Sequence, residues 1–263
     1  VSTPAADSGS GDLRLAIALA DAADEITSSR FQAGDLRVDC KPDRTPVTDA
    51  DLAVEDRVRE LVAAAGSDDV AGEERGGTVS AGRCWLVDPI DGTKNFSRGM
   101  PVWATLIALL EDGVPTVGMV SAPALRRRWW AAAGSGAWGS SGGAAKPISV
   151  SGVGELGDAY LSTTDLESWA EYGRREQYLR LADACWTSRA LGDFWQHCLV
   201  ADGAIDLAVE VEVSSWDVAP LRVIVTEAGG KFSDLSGAAT HDGGNALSSN
   251  GLLHDTALNL LRA

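Results

Sequence analysis

The chain has 263 residues, 45% of them apolar and 23% charged, with a formal net charge of −16. That length buries a large core, the composition is that of an ordinary globule, and no apolar run is long enough to span a bilayer. The acidic balance repels phosphate backbones and anionic lipid, which excludes nucleic acid as the main partner. A phosphate ligand is still admissible where metal cations stand between it and the protein. Four cysteines, Cys40, Cys84, Cys185 and Cys198, lie far apart without C-x-x-C spacing. They read as reduced thiols of a cytoplasmic protein rather than a zinc site or disulfide framework.

Residues 1–11 are small and polar with no apolar signal core, and read as a flexible lead-in. From 12 to 31, Leu13, Ile17, Ala20, Ala23, Ile26 and Phe31 recur at helical spacing with Arg14, Asp21, Asp24 and Glu25 between them, which predicts an amphipathic helix. A proline-bearing stretch over 41–48 predicts a loop or hairpin, and Thr48 or Asp49 can cap a helix over 51–65. The short segment 70–74 ends in a Gly-Glu-Glu turn. The run Cys84-Trp85-Leu86-Val87 predicts a buried strand that delivers Asp88 at its end. Strands follow over 102–110 and 115–121, joined by a hairpin turn at Glu111-Asp112-Gly113, with a further strand over 128–132. The second half predicts helices over 176–184, 194–200 and 218–228 and strands over 205–209 and 231–232. Strands first and helix–strand alternation later predict layered sheets with helices between and outside them, an α+β class, without internal repeats.

Four acidic stations stand near strand ends or helix starts: Asp49, Glu73, Asp88 with Asp91, and Asp217. Magnesium takes hard oxygen ligands and keeps several waters, so a few carboxylates and substrate oxygens suffice to hold it. Two such ions ~4 Å apart can clamp the attacking and leaving oxygens of an in-line displacement. In Asp88-Pro89-Ile90-Asp91-Gly92-Thr93, Pro89 biases Asp88 toward an extended shape. Gly92-Thr93 can open a helix whose amides face an anion. Alone this would be an Asx-Gly turn; with three further acidic stations it reads as chemistry.

Gly72-Glu73-Glu74, Asp88-Pro89-Ile90-Asp91-Gly92-Thr93-Lys94-Asn95-Phe96 and Trp216-Asp217-Val218-Ala219 resemble, in order and spacing, the three signatures of the inositol monophosphatase family, and the similarity runs over nearly all the chain after the lead-in. Pro220 departs from the small residue more usual there. The resemblance implies a layered α-β-α-β-α sandwich, with an N-terminal α+β half (12–150) holding the metal site and a C-terminal α/β half (151–263) completing the substrate pocket. It implies a magnesium-dependent phosphomonoesterase with two or three ions per site, working as a homodimer on a small phosphate ester. Glu73, Asp88, the Ile90 carbonyl, Asp91 and Asp217 would hold the ions. Asp49 and Thr93, helped by Glu73, would orient and deprotonate the attacking water, and the Gly92 and Thr93 amides would bind phosphate.

The segment Arg189-Ala190-Leu191-Gly192-Asp193-Phe194-Trp195, with Arg127-Arg128-Trp129-Trp130 upstream, resembles the histidinol-phosphate phosphatases of the superfamily. A carboxylate at Asp193 suits a substrate ammonium through charge-assisted pairing; otherwise Asp193 would cap the helix starting at Phe194. The resemblance thus places Arg189, Gly192, Asp193 and Glu210 at the substrate, L-histidinol phosphate. Inositol 1-phosphate is the nearest alternative, and a non-catalytic regulator of the same fold the alternative from another class.

Other signals carry less. Gly134 to Gly139 matches G-x-G-x-x-G, but the loop that follows predicts a tight turn rather than a dinucleotide site. The Asp88/Asp91 spacing is not the D-x-D of an aspartyl-phosphate enzyme. His197, His241 and His254 accompany no serine elbow, and His197 reads as a packed histidine. The basic run at Arg126, Arg127 and Arg128 reads as a strand facing solvent or a subunit, and Trp85, Trp103, Trp129 and Trp130 as core or interface.

Overall fold

The computed structural model describes residues 11–42, 44–66, 68–79 and 81–262. Apart from Gly11, which begins the first helix, the lead-in lies outside them. The first half runs α1 (Gly11–Arg30), β1 (Val38–Cys40), β2 (Pro46–Thr48), α2 (Asp49–Ala65), β3 (Asp69–Gly72), β4 (Arg83–Asp91), α3 (Thr93–Ser97), β5 (Ala104–Glu111), β6 (Val114–Ala122), β7 (Arg127–Ala132), β8 (Ala137–Ser141) and β9 (Lys146–Pro147). The second runs β10 (Tyr160–Thr163), α4 (Glu167–Glu171), α5 (Arg175–Ala184), β11 (Thr187–Ala190), α6 (Asp193–Ala201), β12 (Leu207–Glu210), α7 (Ser215–Glu227), β13 (Lys231–Ser233), β14 (Ala246–Ser249) and α8 (His254–Arg262). Strands β3 to β9 form a seven-stranded sheet in sequence order; the other large sheet has the order β11-β10-β12-β14-β13.

Alternation along the central strands builds the layers. Trp85, Val87, Ile107, Leu109 and Met119 point to one face and meet Leu19 and Ala23 of α1 with Val54 and Val58 of α2. From the opposite face, Leu106, Val120 and Trp129 meet Phe194 and Cys198 of α6 and Leu221 and Ile224 of α7, which also contact Ala208 and Ala246 of the five-stranded sheet. The far side of that sheet is closed by Tyr178 and Leu181 of α5 and Leu258 and Leu261 of α8. The order is helix, sheet, helix, sheet, helix: the α-β-α-β-α sandwich.

Helix α7 lies unusually close to β6. A Cβ on Gly118 would stand 2.3 Å from the Pro220 carbonyl oxygen, so only glycine fits under the helix. Pro220 lies past the first turn, inside α7, and the helix continues to Glu227. It leaves the Trp216 carbonyl without its usual i+4 donor, but does not move the start that carries Asp217.

The sequence reading differs from the structure in several elements. Strands β1, β8 to β11 and β14 span only two to five residues each and helix α4 only five, too short for a pattern to repeat, and α8, nine residues long, is a further element beyond those expected. Residues 46–48 are the return strand of the β1–β2 hairpin. The G-x-G-x-x-G segment is the β7–β8 turn, where Gly134 and Gly136 donate their amides to Glu227 at 2.8 Å each. In the basic run, Arg127 pairs with Asp202 and Arg128 with Asp21 and Asp24. No described helix is long and apolar enough to cross a membrane.

Candidate active site

The C-terminal end of β4 is buckled. Pairing with β5 runs Asp88 to Leu106 and then Asp91 to Ala104, a bulge that takes in Pro89, which has no amide to donate. Thr105 donates its hydroxyl to the Pro89 carbonyl at 2.8 Å, and Asp88 accepts the Ile90 amide at 3.0 Å. Gly92 then turns at φ 84, and a Cβ there would lie 3.0 Å from the Val102 carbonyl. The chain enters α3 at Thr93, whose hydroxyl donates to the Ile90 carbonyl at 2.8 Å. The Gly-Glu-Glu turn after β3 is shaped by the buried Glu55, which accepts the amides of Glu74 and Arg75.

These segments border a cavity of about 680 Å³ lined by Glu73, Asp88, Ile90, Asp91, Gly92, Thr93, Gly192, Asp193 and Asp217, together with Lys94, Asn95, Thr164, Asp165 and Trp195. The starts of α3, α6 and α7 all face it, and a helix N-terminus favours an anion. Asp91 reaches across to accept the Phe194 amide of α6 at 2.6 Å, and Asp217 accepts the Ser214 amide at 2.7 Å. Asp193 sits at φ 49, a left-handed conformation that costs a non-glycine residue about 1–3 kcal/mol. Its carboxylate accepts Asn95 Nδ2 at 3.3 Å, and among the described residues no amide of its own helix donates to it. The capping alternative for Asp193 is therefore not what this side chain does.

Crowding of acids shows in their protonation. Burial, reinforced by Glu73, Asp91 and Asp217, pushes the Asp88 carboxyl well above its ordinary range. Burial with Asp193 and Asp217 does the same to Asp91. Asp217 is pushed up to about 8 by burial and the charges of Glu73 and Glu210. Asp193 rises to about 6 through burial and Glu210, while Lys94 pulls it back. Such a group of oxygen donors short of positive charge fits a hard divalent cation. Among the described residues no three acidic side chains close into a ready-made cage. Glu73 is held by Lys41 at 2.7 Å, and Lys41 also pairs with Glu74 at 2.6 Å. An open set of this kind suits a hard cation that retains waters and takes substrate oxygens.

Three expected site residues lie elsewhere. Asp49 is the first residue of α2 and turns away to Arg30 at 2.9 Å and Arg37 at 3.6 Å; it does not line the cavity. Two residues on, Asp51 is fully buried. Its Oδ2 accepts the Thr48 amide at 2.8 Å and hydroxyl at 2.6 Å, while Oδ1 has no partner. Burial lifts Asp51 to about 7 against those two bonds, and it feels Glu74 and Glu73. The sequence signal was the Thr48-x-x-Asp51 spacing, which reads as an ordinary capping box until burial is known. Glu210 stands behind the cavity wall with both oxygens engaged, by His197 Nε2 at 2.7 Å and the Thr164 hydroxyl at 2.7 Å. Arg189 is exposed on β11, bonded to Thr187 and the Ser188 carbonyl.

Comparison with known proteins agrees with this architecture. Residues 12–262 match the inositol monophosphatase family. The chain is 59% identical to a histidinol-phosphatase of Mycobacterium tuberculosis over 256 residues, 96% of this chain and 98% of that one. It is 51% identical to a histidinol-phosphatase of Streptomyces coelicolor, covering 95% and 96% of the two chains. Among solved structures, an inositol monophosphatase from Zymomonas mobilis superposes with a TM-score of 0.84 at 31% identity, over 96% of this chain and 98% of that one. With its three signatures converging on one acidic cavity beneath three helix starts, the chain belongs to the inositol monophosphatase family.

Proposed function

We propose that this protein hydrolyses L-histidinol phosphate to L-histidinol and inorganic phosphate, with magnesium as its metal and two or three ions per site. The observation that carries the substrate choice is Asp193. It is a strained carboxylate open to the cavity, steered by Asn95 and not spent on its own helix. A phosphate at the starts of α3 and α6 leaves this carboxylate for the ammonium end of an amino-alcohol ester. The histidinol-phosphatases among the relatives support the same reading.

Glu73, Asp88, the Ile90 carbonyl, Asp91 and Asp217 would hold the ions, with Lys41 giving up Glu73. Bound magnesium would neutralise the carboxylates and the ester and lower the pKa of water. The Gly92 and Thr93 amides orient the phosphoryl group. Water oxygen bonds to phosphorus as the bond to the ester oxygen breaks, and that oxygen leaves with the electron pair and takes up a proton. Asp51, whose buried Oδ1 lacks a partner, would take up the proton lost by the water in place of Asp49, with Thr93 on the cavity wall helping to orient that water. No side chain becomes phosphorylated.

The test is phosphate release from histidinol phosphate, inositol 1-phosphate and fructose 1,6-bisphosphate at equal concentration, with magnesium and with a chelator. Preference for the first, lost on chelation, is expected. Preference for inositol 1-phosphate overturns the substrate, and no release from any ester favours a regulator. The same reading makes the protein a cytoplasmic homodimer. Trp186, 69% exposed, stands beside β11 at the open edge of its sheet, which supports a second copy there; light scattering would read a monomer if this is wrong.

A further inference from the structure

Behind Asp193 lies a buried polar chain that no step of the hydrolysis uses. His197, fully buried one turn further along α6, places Nδ1 2.7 Å from the Ser248 hydroxyl of β14 and Nε2 2.7 Å from Glu210 of β12. The other oxygen of Glu210 accepts the Thr164 hydroxyl at 2.7 Å, just past β10. That hydroxyl in turn accepts the Asp193 amide and Gln196 Nε2, each at 3.2 Å. A threonine hydroxyl has one proton and two lone pairs, and here all three are committed. The direction of the bonds at Thr164 is therefore determined. Thr164 can accept from Asp193 only while its own proton points at Glu210, and Glu210 stays an acceptor there while His197 donates to its other oxygen. Because Asp193 and His197 both belong to α6, the bonds close a ring that clamps the first turn of that helix to the five-stranded sheet.

Resting on the substrate reading above, we propose that His197 is a positioning residue for substrate selection. Through Glu210 and Thr164 it holds Asp193 in its left-handed conformation, with the carboxylate aimed at the substrate ammonium. A strained backbone persists only where its surroundings over-determine it, and this ring is what does so at Asp193. Glu210 thereby acts on the substrate at one remove.

The experiment compares histidinol phosphate with β-glycerol phosphate, an ester lacking an ammonium, on wild type, His197→Ala and His197→Gln. Gln can restore an N–H toward Glu210. His197→Ala is expected to lower the selectivity ratio of the two kcat/KM values about tenfold, mostly through KM for histidinol phosphate, the size of one weakened charge-assisted bond. His197→Gln recovers most of it. Thr164→Val, which deletes the hydroxyl and keeps the shape, gives the same drop and remains decisive if His197→Ala does not fold. A ratio unchanged in these variants, or a parallel fall on both esters that Gln does not reverse, overturns the positioning role. A wild type with no preference for the amino ester overturns the substrate reading and this inference together.

Discussion

Replacing Asp51 by asparagine separates what this residue does for the fold from what it does for the reaction. In the native protein one oxygen accepts two bonds from Thr48 and the other has none. Asparagine fits this place: its carbonyl keeps both Thr48 bonds and its amide fills the orphan position. The lift from 3.8 to about 7, caused by burial, means that the native chain holds a proton which the unfolded chain releases. Stability is then lost as pH rises from about 4 to 7, on the order of 4 kcal/mol at the upper end. Asp51→Asn removes that cost. The metal-free variant should melt several degrees above wild type at pH 8, and the gain should shrink as pH falls toward 4. Loss of the base should lower kcat by roughly 100- to 10,000-fold. Asp49→Asn weakens only its ion pairs with Arg30 and Arg37, worth about 1 kcal/mol, and should leave kcat within a few-fold. Thermal melts at pH 5 and pH 8 with phosphate-release kinetics check both parts. An Asp51→Asn enzyme that keeps a tenth of its turnover, or an Asp49→Asn enzyme that loses as much, would refute the reasoning.

Asp193→Asn should raise KM for histidinol phosphate roughly 10- to 100-fold, the loss of one charge-assisted contact, and steady-state kinetics read it directly. Chelation should abolish phosphate release yet leave the far-ultraviolet circular dichroism in place, because the cores are built without the ions. Since Asp88, Asp91 and Asp217 hold protons more tightly than ordinary carboxylates, magnesium must displace them. Its affinity, measured by titration calorimetry, should weaken as pH falls below about 8. His254 is buried between the hydroxyls of Ser233 and Ser249, and burial lowers it to about 4. Its neutral form is native, so stability is intact above pH 6.5 and is lost as pH falls through 4. Urea unfolding should show the advantage of wild type over His254→Gln shrinking by about 3 kcal/mol across that window. Gly118→Ala forces a methyl group against the Pro220 carbonyl and should cost about 1–3 kcal/mol in thermal melts; an unshifted melt would show that α7 can retreat.

Local chemistry made part of this protein legible in one dimension. Trp85 and Val87 alternate with Cys84 and Leu86, so β4 had to be a strand buried on both faces, and Asp88, Pro89 and Gly92 marked where it stops and turns. Residues that must coordinate, bulge or turn are restricted in type, and the three signatures are therefore readable without coordinates. Helix α1 declared itself through a 3.6-residue period, and α2 through the capping residues Thr48 and Asp49 at its start. The five-stranded sheet was harder, because β10, β11 and β14 have four residues each and are held by neighbours remote in the chain.

Which carboxylate faces which partner was decided only by folding. Asp49 and Asp51 are two residues apart on one helix and differ by about 200° in direction, so one meets Arg30 while the other is sealed beside Thr48. Glu210 resembled a substrate contact by its spacing from Asp217, yet His197 and Thr164 reach it first, from a helix and a strand end that no local pattern joins. Residue type and spacing could specify an acidic, phosphate-seeking site because those are properties of short segments. The choice of base and the aim of Asp193 depend on burial and on bonds between distant segments, which exist only once the layers have closed.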